Sequence, residues 1–216
     1  MDLYNYRRRL ETNNIMEDME SNTIDFIEKT FHEAPNFKEV FLNGYKTDAR
    51  IDTENDSNQL SILFRPNTEI NKGDIINFDS THWLVNNTSE NPIYPTAYVD
   101  LCNEWLRWIN DNGETKVYPA VIVSKKYDLN QDEQIIIAEN TLTIRVSYNN
   151  DTKQIKHLQR FIISDIPYEI RGIDAISNVN FGKGYIELKA QQSLLEANDD
   201  LDNDIADNEG SNWGAW

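Results

Sequence analysis

The sequence has little of the chemistry that marks most enzymes and metal proteins. It contains one cysteine and three histidines among 216 residues. A single cysteine excludes an intramolecular disulfide, so nothing in the chain requires an oxidising compartment. Cys102 lies in an aromatic segment, and we interpret it as a small buried apolar residue. His32, His82 and His157 lie far apart in the sequence and do not have the spacing of metal ligands.

Basic residues and long apolar runs are also scarce. Lysine and arginine number 20 against 37 acidic residues, which gives a net charge of -17 and a pI near 4.5. Such a surface repels nucleic acid and anionic membranes, so a nonspecific DNA-binding protein is excluded. No apolar run approaches the ~20 residues of a membrane-spanning helix. The N-terminal sequence MDLYNYRRRLE lacks the apolar region of a secretory signal, and we expect no export.

Catalytic and cofactor motifs are missing as well. The sequence has no HExxH, CxxC, GxSxG, Walker or GxGxxG motif, and no carboxylate pair stands out in so acidic a chain. We therefore expect a protein that is not an enzyme, with no catalytic residues, cofactor or metal. The nearest approach to a calcium loop is Asp128-x-Asn130-x-Asp132 with Glu139 in the twelfth position. Its sixth position is Glu133, where the sharp turn of such a loop needs glycine.

Short runs of valine, isoleucine, threonine and aromatic residues alternate with clusters of Asn, Asp, Ser and Gly. This pattern predicts a mainly β fold, with a β-barrel or sandwich-like core of antiparallel hairpins in one or two β-modules. A helical arm would precede this core and an acidic tail would follow it. The predicted divisions are the helical arm (1–35), a first β-module with a long hairpin (36–125), a second β-module (126–190) and an acidic extended tail (191–216).

The segment Gly73–Ala120 holds most of the turn signals. A short hairpin is predicted to turn near Ser80–Thr81. Farther on, Tyr98–Ile109 and Thr115–Val123 are predicted as the two arms of a long hairpin. Asn112–Gly113 would form a type I′ turn between them, in which both residues have positive φ. The apolar residues of the first arm fit a helix almost as well, but its aromatic content and the Asn-Gly pair favour a strand.

Both termini differ in character from the β core. The N-terminal arm is predicted to form two helical pieces, separated where Ser21 or Asn22 caps the second one, which ends before Pro35. The basic cluster Arg7-Arg8-Arg9 would form either a solvated helix face or a contact with an acidic neighbouring subunit.

From Gln191 onward the sequence has no basic residue and many Asp and Asn residues, and it ends with Trp213-Gly-Ala-Trp216. This tail cannot bury enough apolar surface to fold alone. It would either remain a flexible tail or dock with the two tryptophans as anchors.

A weak internal similarity relates two segments 85 residues apart. Asn67–Val85 aligns with Thr152–Ile170, so that Phe78 falls on Ile163 and Trp83 on Tyr168. Each segment has an approach strand, a hairpin and a bulky aromatic residue that leads the return strand. Two modules of similar construction and coincidental hairpin patterning explain this equally well.

The order of these elements resembles that of tailed-bacteriophage structural proteins in the head-to-tail connector and head-closure (neck) group. The resemblance rests on GDIINFDSTHWLV, IYPTAYVDLCNEWLRWINDNGE and the following PAVIV, then on NNDTKQIKHLQRFIISDIPYEIRGID, GYIELKA and DDLDNDIADN. It spans most of the chain as spaced motifs and has no single diagnostic signature. In some relatives the acidic segment leads into further domains, and roles borrowed from those relatives are not implied here.

The resemblance implies a structural virion protein that forms a ring of 6 or 12 copies. The ring would dock at the portal or its adaptor in the neck of the virion, contact tail proteins and let packaged DNA pass through its channel, with no contact with a membrane. Assembly would take place in the cytoplasm of the bacterial host. The residues that we expect at the subunit interface are Arg7, Arg8, Arg9, Asp200, Asp207, Trp213 and Trp216.

Two other classes remain as alternatives. A carbohydrate- or host-receptor-binding β-module would present tryptophans such as Trp83, Trp105 or Trp108 beside a cleft, although core packing suits residues on alternating strands better. A wall-degrading enzyme would need a polar cleft with a carboxylate pair, and no such pair stands out.

Overall fold

The computed structural model of the chain describes residues 15–53, 57–89, 91, 93–124 and 141–208. The fold is mainly β, with 53% strand and 11% helical residues, as predicted. Helix α1 (Ile15–Thr30) and a short 3-10 turn (Phe31–Glu33) precede the sheets. The strands in the described residues are β1 (Phe37–Leu42), β2 (Tyr45–Thr53), β3 (Gln59–Phe64), β4 (Ile75–Phe78), β5 (Thr81–Ser89), β6 (Thr96–Leu101), β7 (Glu104–Ile109), β8 (Thr115–Ser124), β9 (Thr141–Ser147), β10 (Arg160–Ile163), β11 (Ile166–Asp174), β12 (Val179–Asn180) and β13 (Lys183–Gln192).

The first six strands form a closed antiparallel barrel. They follow the order β1-β2-β3-β6-β5-β4, and β4 pairs back with β1. Along a barrel strand the side chains point alternately to the interior and the exterior. In β3 the alternate residues Leu60, Ile62 and Phe64 are accordingly buried, and they belong to one apolar cluster that fills this barrel.

The later strands form a second, barrel-like sheet with the same strand order. It runs β10-β11-β13-β9-β8-β7, with the short β12 paired to β13. When β12 is set aside, each module places its strands in the order first, second, third, sixth, fifth and fourth. No ladder joins β7 to β10 in the part of the chain that the structure describes, although the two strands lie close together. We call the two sheets the first and second barrels, and this gap in pairing the seam of the second barrel.

The internal similarity of the sequence falls on equivalent hairpins of the two barrels. β4 starts at Ile75 and β10 at Arg160, and all the bounds of β10 and β11 lie 85 residues after those of β4 and β5. Both hairpins turn through two residues of positive φ, Asp79–Ser80 (46° and 63°) and Ser164–Asp165 (51° and 63°), as a type I′ turn requires. The first of these turns lies one residue before the predicted Ser80–Thr81.

A bulge also recurs at the same offset. The pairing of β5 with β6 shifts between Val85 and Asn87, and that of β11 with β13 shifts between Ile170 and Gly172. A bulge inserts one unpaired residue and bends the strand. The shared strand order, turn and bulge favour two modules of the same construction over coincidental patterning.

Helix α1 packs its C-terminal end on the first barrel. Ile27 is 5% exposed and Phe31 is fully buried, and burial of such side chains stabilises the fold by about 1.5–3 kcal/mol each. The Arg50 guanidinium closes this end by donating to the carbonyl oxygens of Thr30 (2.8 Å) and Phe31 (3.2 Å). The helix runs without a break through Ser21–Asn22, so the predicted division there is wrong. Both side chains lie on the exposed surface of this continuous helix, and neither begins it. Residues 1–14 of the predicted arm lie outside the described residues.

The segment Tyr98–Ile109 is extended, and the helical alternative is wrong, but its two halves belong to different barrels. The N–H of Cys102 donates to the carbonyl of His82 in the first barrel (2.8 Å). The N–H of the next residue, Asn103, donates to the carbonyl of Ala120 in the second barrel (3.1 Å). The chain therefore crosses between barrels at residues 102–103, whereas the sequence placed the boundary of the β-modules near residue 125.

The turn between β7 and β8 is a five-residue loop, which corrects the predicted type I′ turn at Asn112–Gly113. Within that pair only Gly113 has a positive φ, of +78°. The side chain of Asn110 organises the loop instead, because its Oδ1 accepts the N–H groups of Asn112 (3.0 Å) and Glu114 (2.9 Å). The strand predicted at Gln134–Ala138 lies outside the described residues.

Candidate functional site: a tail clasp at the seam of the second barrel

The tail segment, which we define as residues 193–208, folds back onto the second barrel. The N–H of Ser193 donates to the carbonyl of Pro167 (2.9 Å), and Asp200 and Ile205 exchange two backbone hydrogen bonds of 2.9 Å. Ala206 is only 4% exposed. These residues are therefore packed on the barrel, whereas the sequence indicated an extended tail.

Arg160 is the centre of this contact. It begins β10, and its side chain is only 9% exposed. Its Nη1 and Nη2 donate to the two carboxylate oxygens of Asp199 at 2.9 and 2.7 Å. The same nitrogens donate to the backbone carbonyls of Asp207 (3.0 Å) and Leu194 (2.8 Å). Such a two-pronged, charge-assisted arrangement fixes both distance and orientation, which a lysine could not do.

The carboxylate of Asp199 is fully enclosed. It also accepts the N–H groups of Glu196 (2.8 Å) and Asp207 (2.9 Å). Burial alone would raise the pKa of Asp199, but the Arg160 guanidinium and these two N–H groups hold it below its ordinary value. The pair therefore stays charged at neutral pH.

A second ion pair ties the same segment to the other side of the seam. Arg107 of β7 binds the carboxylate of Asp204, and both side chains are about one third exposed. A pair with this much exposure contributes less than about 1 kcal/mol, so it orients the segment more than it stabilises it. We call Arg107 and Arg160, with their partners Asp199 and Asp204, the tail clasp.

The tail segment also completes the backbone bonding of β10. The N–H of Arg160 donates to Oδ1 of Asn208 (2.7 Å), and Nδ2 of Asn208 donates to the carbonyl of Arg160 (3.2 Å). In the first barrel the equivalent residue is Ile75, whose N–H donates to Oδ1 of Asn43 (2.9 Å) and whose carbonyl accepts the N–H of Asn43 (2.8 Å). An asparagine therefore caps the fourth strand of each barrel, from within the first barrel and from the tail in the second.

Asp200 and Asp207 were the predicted interface residues that the structure describes, and both have partners within the chain. Asp200 is exposed and accepts the N–H (3.1 Å) and Nδ2 (2.7 Å) of Asn203, which lower its pKa. Asp207 accepts from Nδ2 of Asn198 (3.1 Å) and, through its backbone, helps to enclose Arg160. Their role between subunits remains a prediction. The other predicted interface residues lie outside the described residues: Arg7, Arg8, Arg9, Trp213 and Trp216.

The sequence analysis missed Arg107, Arg160 and Asp199. The signal was available, because Arg107 interrupts one apolar strand (EWLRWI) and Arg160 begins another (RFII), while the tail is rich in aspartate and has no basic residue. A buried arginine needs a carboxylate partner, and the tail supplies one.

The two barrels meet at a junction built around a buried carboxylate. Asp100 of β6 is 6% exposed. It accepts hydrogen bonds from Gln59 (3.0 Å) in its own barrel and from Nη1 of Arg145 (3.1 Å) in the second. Leu84, Val121 and Tyr185 form an apolar cluster beside it, and the half-buried Ile75 and Cys102 pack against this cluster. Burial and the neighbouring carboxylate raise the pKa of the Cys102 thiol to about 12, so it is no nucleophile in this fold.

Close backbone contact reinforces this junction. A Cβ on Gly73, whose φ is +83°, would lie 1.6 Å from the carbonyl oxygen of Gly184. Only glycine lets these two backbone segments approach so closely. Lys183, beside Gly184, forms an ion pair with Glu69 of the first barrel. The β12–β13 hairpin is therefore fixed against the first barrel.

The tryptophans considered for a sugar platform are mainly core residues. Trp83 is 6% and Trp108 2% exposed. Trp108 packs on Tyr118 and Phe161, with ring centroids 5.6 and 6.0 Å apart. Trp105 is 37% exposed. Its ring packs edge-on against His82 in the first barrel, so it also contributes a contact between the two barrels.

Metal ligands and membrane-spanning helices are absent from the described part of the chain. No group of three or more His, Cys, Asp or Glu residues there could hold a metal ion. No helix of these residues is long and apolar enough to cross a membrane. The loop from Asp128 to Glu139, which partly resembles a calcium loop, lies outside the described residues.

The division into two barrels agrees with the match to known protein families. Residues 7–101 match the YomX N-terminal domain, and residues 104–191 match the YomX C-terminal domain. The two matches meet where the chain crosses between barrels. The chain belongs to the YomX family. YomX is a gene product of an SPbeta-type Bacillus phage, and its two domains are phage-derived. The family therefore indicates a phage protein, which agrees with the broader part of the resemblance seen in the sequence.

Other comparisons add little. No curated protein matches the chain. Among solved structures, the chain is similar to MrkH, described as a c-di-GMP-dependent transcription regulatory factor. The identity is 12% and the TM-score 0.25, and the match covers 83% of this chain and 86% of MrkH. The K. pneumonia MrkH–c-di-GMP complex has 10% identity and a TM-score of 0.24, over 86% of this chain and 89% of that one. TM-scores this low carry no inference about fold or function.

Proposed function

We propose that this YomX-family chain is a structural protein of the phage virion, a ring-forming head–tail connector or head-completion protein that docks at the portal vertex and joins head to tail. The observation that carries the proposal is the match of both barrels to phage-derived YomX domains, together with the sequence resemblance to neck proteins. The protein acts without catalysis or a cofactor. It is assembled in the cytoplasm of the bacterial host and resides in the neck of the virion.

The charge of the chain suits this role. A net charge of -17 repels the phosphate backbone of DNA. An acidic channel lets a packaged duplex slide through without binding to its wall. The ring, of 6 or 12 copies, contacts portal or adaptor proteins on one side and tail proteins on the other.

Two surfaces are proposed for contacts between copies, one on the described helix and one beyond the described residues. On α1, Met19 (65% exposed) and Phe26 (67%) lie seven residues apart and therefore on one face, away from the Ile27 face that packs on the barrel. This exposed stripe belongs to the predicted arm (1–35), in which Arg7–Arg9 lie outside the described residues. The acidic tail ends, beyond the described residues, in Trp213 and Trp216, which we retain as proposed anchors.

The tail clasp changes how the role of the tail must be tested. Deleting residues 197–216 would remove Asp199 and leave Arg160 buried without its partner, so loss of assembly could simply reflect loss of the fold. A chain that ends at Asn208 keeps the whole clasp and removes both tryptophans. The exchange Trp213→Ala with Trp216→Ala gives the same loss at full length.

The decisive experiment is native mass spectrometry with negative-stain imaging of the full chain, alone and mixed with the portal complex of its phage. Rings, or portal-dependent assembly with six- or twelve-fold symmetry, are expected for the full chain. The chain that ends at Asn208 should fold with unchanged thermal stability and fail to assemble. A strict monomer that ignores the portal would refute the connector role, and normal assembly without the tryptophans would remove them from the interface.

A further inference from the structure

The chain contains one Asn-Gly pair in each barrel, and the two pairs differ in how the asparagine is held. Asn43–Gly44 joins β1 to β2, and Asn112–Gly113 lies in the loop between β7 and β8, the equivalent strands of the second barrel. Both glycines have a positive φ, and a Cβ on either one would meet no atom within 4 Å. The space around the glycine is therefore alike in the two pairs, and the asparagine makes the difference.

An asparagine that precedes a glycine is able to react with its own backbone. The glycine nitrogen attacks Cγ of the asparagine and gives up its proton, the Cγ–Nδ2 bond breaks, and Nδ2 leaves as ammonia. Water then opens the resulting succinimide ring at one of its two carbonyls and leaves aspartate or isoaspartate. Glycine favours the attack because no Cβ shields its nitrogen. The reaction needs water and a side chain that is free to turn toward the backbone.

In the first barrel the asparagine side chain is held at both of its polar atoms. Nδ2 of Asn43 donates to Oδ1 of Asp74 (2.9 Å), and Oδ1 of Asn43 accepts the N–H of Ile75 (2.9 Å). The backbone N–H of Asn43 donates to the carbonyl of Ile75 (2.8 Å). Both side-chain bonds have to open before Cγ of Asn43 turns toward the nitrogen of Gly44, so the strand cap also protects this pair.

In the second barrel the capping role has passed to Asn110 and Asn208, and Asn112 is left free. Asn112 is exposed, and its side-chain amide has no hydrogen-bond partner in the described part of the chain. Its backbone N–H is bound by Oδ1 of Asn110 (3.0 Å), and the N–H of Gly113 donates to the carbonyl of Asn110 (2.9 Å). Only this last bond, on the attacking nitrogen, has to open for the reaction.

We propose that Asn112 is a site of spontaneous self-modification, at which the folded chain converts an asparagine to aspartate and isoaspartate, while Asn43 is protected. Each conversion adds a carboxylate to a loop that already contains Asp111 and Glu114. Isoaspartate also inserts a methylene into the main chain between the N–H groups of Asn112 and Glu114, which Oδ1 of Asn110 now binds together. The modified loop therefore loses the spacing that Asn110 requires. The inference goes beyond the proposed function and does not depend on it.

The test follows both pairs in the full chain during incubation at pH 8, folded in buffer and unfolded in urea. Mass spectrometry of chromatographically separated peptides measures the aspartate and isoaspartate formed at each position. The unfolded chain gives the intrinsic rate of each pair, so the ratio of the unfolded to the folded rate measures how far the fold protects it. The matched control is Gly113→Ala, which places a Cβ beside the attacking nitrogen at Asn112 and leaves Asn43 unchanged.

We expect the fold to protect Asn43 at least about 10-fold more than Asn112, because additional hydrogen bonds have to open at Asn43. In folded Gly113→Ala the conversion at Asn112 should slow, and the rate at Asn43 should stay the same. Equal protection of the two pairs, or faster conversion of folded Asn43, would overturn the proposal. A folded chain that keeps Asn112 intact while the unfolded chain is fully converted would overturn it as well.

Discussion

Removing the carboxylate of Asp199 should destabilise the chain strongly, because it leaves the Arg160 guanidinium buried without its partner. Breaking a buried ion pair on one side costs about 3–5 kcal/mol. Glu196 lies 3.3 Å from Nη1 of Arg160 and is half exposed, so it can replace part of the lost interaction. We therefore expect Asp199→Ala to cost about 3 kcal/mol, the lower end of that range. With an m-value of about 2 kcal/mol/M, the urea midpoint falls by about 1.5 M.

The matched control is Asp202→Ala, which removes the same charge from an exposed position of the same tail segment. It should change stability by less than about 0.5 kcal/mol. Both variants are compared by urea unfolding and by limited proteolysis of the tail segment at neutral pH. If Asp199→Ala moves the midpoint no further than Asp202→Ala does, the Arg160–Asp199 pair does not hold the tail, and the clasp is refuted.

The same pair gives a dependence on pH with a defined sign. The pKa of Asp199 is lower in the folded chain than in the unfolded one. Its contribution is therefore complete above its unfolded value, near 3.9, and is lost as the pH falls through the folded value. The difference in unfolding free energy between the wild type and Asp199→Ala should be constant at neutral pH and shrink below about pH 4. A difference that grows in acid would contradict the assignment.

Three further predictions concern the barrels and their junction. Gly73→Ala should lower the free energy of unfolding in urea by at least about 3 kcal/mol, because its Cβ would lie 1.6 Å from a backbone oxygen. Gly113→Ala, at a φ of +78° with open space around it, should lower it by about 1 kcal/mol. Equal losses of stability in the two variants would contradict the close contact. Burial raises the pKa of the Cys102 thiol to about 12, so this thiol should not react with Ellman's reagent at pH 8 until urea unfolds the chain. Rapid reaction of the native chain would show that the junction is open to solvent. Asn43→Gly and Asn208→Ala should each lower the free energy of unfolding by about 1 kcal/mol. Only Asn208→Ala should speed amide hydrogen exchange in the tail segment. Equal exchange rates in the two variants would disprove the capping role of the tail.

The sequence predicted many strands well because each is marked by a local pattern of apolar and turn-forming residues. The sequence pattern predicts strands at Gln59–Phe64 and Ile75–Phe78, and β3 and β4 have these bounds. The turn predicted around Asn43–Gly44 has a positive φ at both residues. The sequence could not predict which residues far apart in the chain contact each other. The break at Asn103 has no local signal: its side chain hydrogen-bonds both the N–H (2.8 Å) and the carbonyl (2.9 Å) of Ile122 and takes the place of a strand residue.

The tail illustrates the same limit more sharply. Composition indicates that the acidic segment cannot fold alone, because its own apolar area is too small. It does not reveal that two arginines in apolar strands, Arg107 and Arg160, form ion pairs with carboxylates of this segment. Charge complementarity between Arg160 and an otherwise uniformly acidic tail was the one available signal, and it points to a partner without specifying whether that partner lies in the same chain.

The repeated barrel explains why the second copy needs a tail and the first does not. Asn43 directly follows β1 in a two-residue turn, so its side chain is free to cap Ile75. Asn110 directly follows β7 and is its counterpart, but in a five-residue loop its Oδ1 is used by Asn112 and Glu114 and its Nδ2 by the Glu114 carboxylate (3.1 Å). Longer loop geometry thus removes the local cap from the second barrel. Asn208 supplies the missing cap to Arg160, and this makes the tail segment part of the second barrel, although the matched YomX domain ends at residue 191.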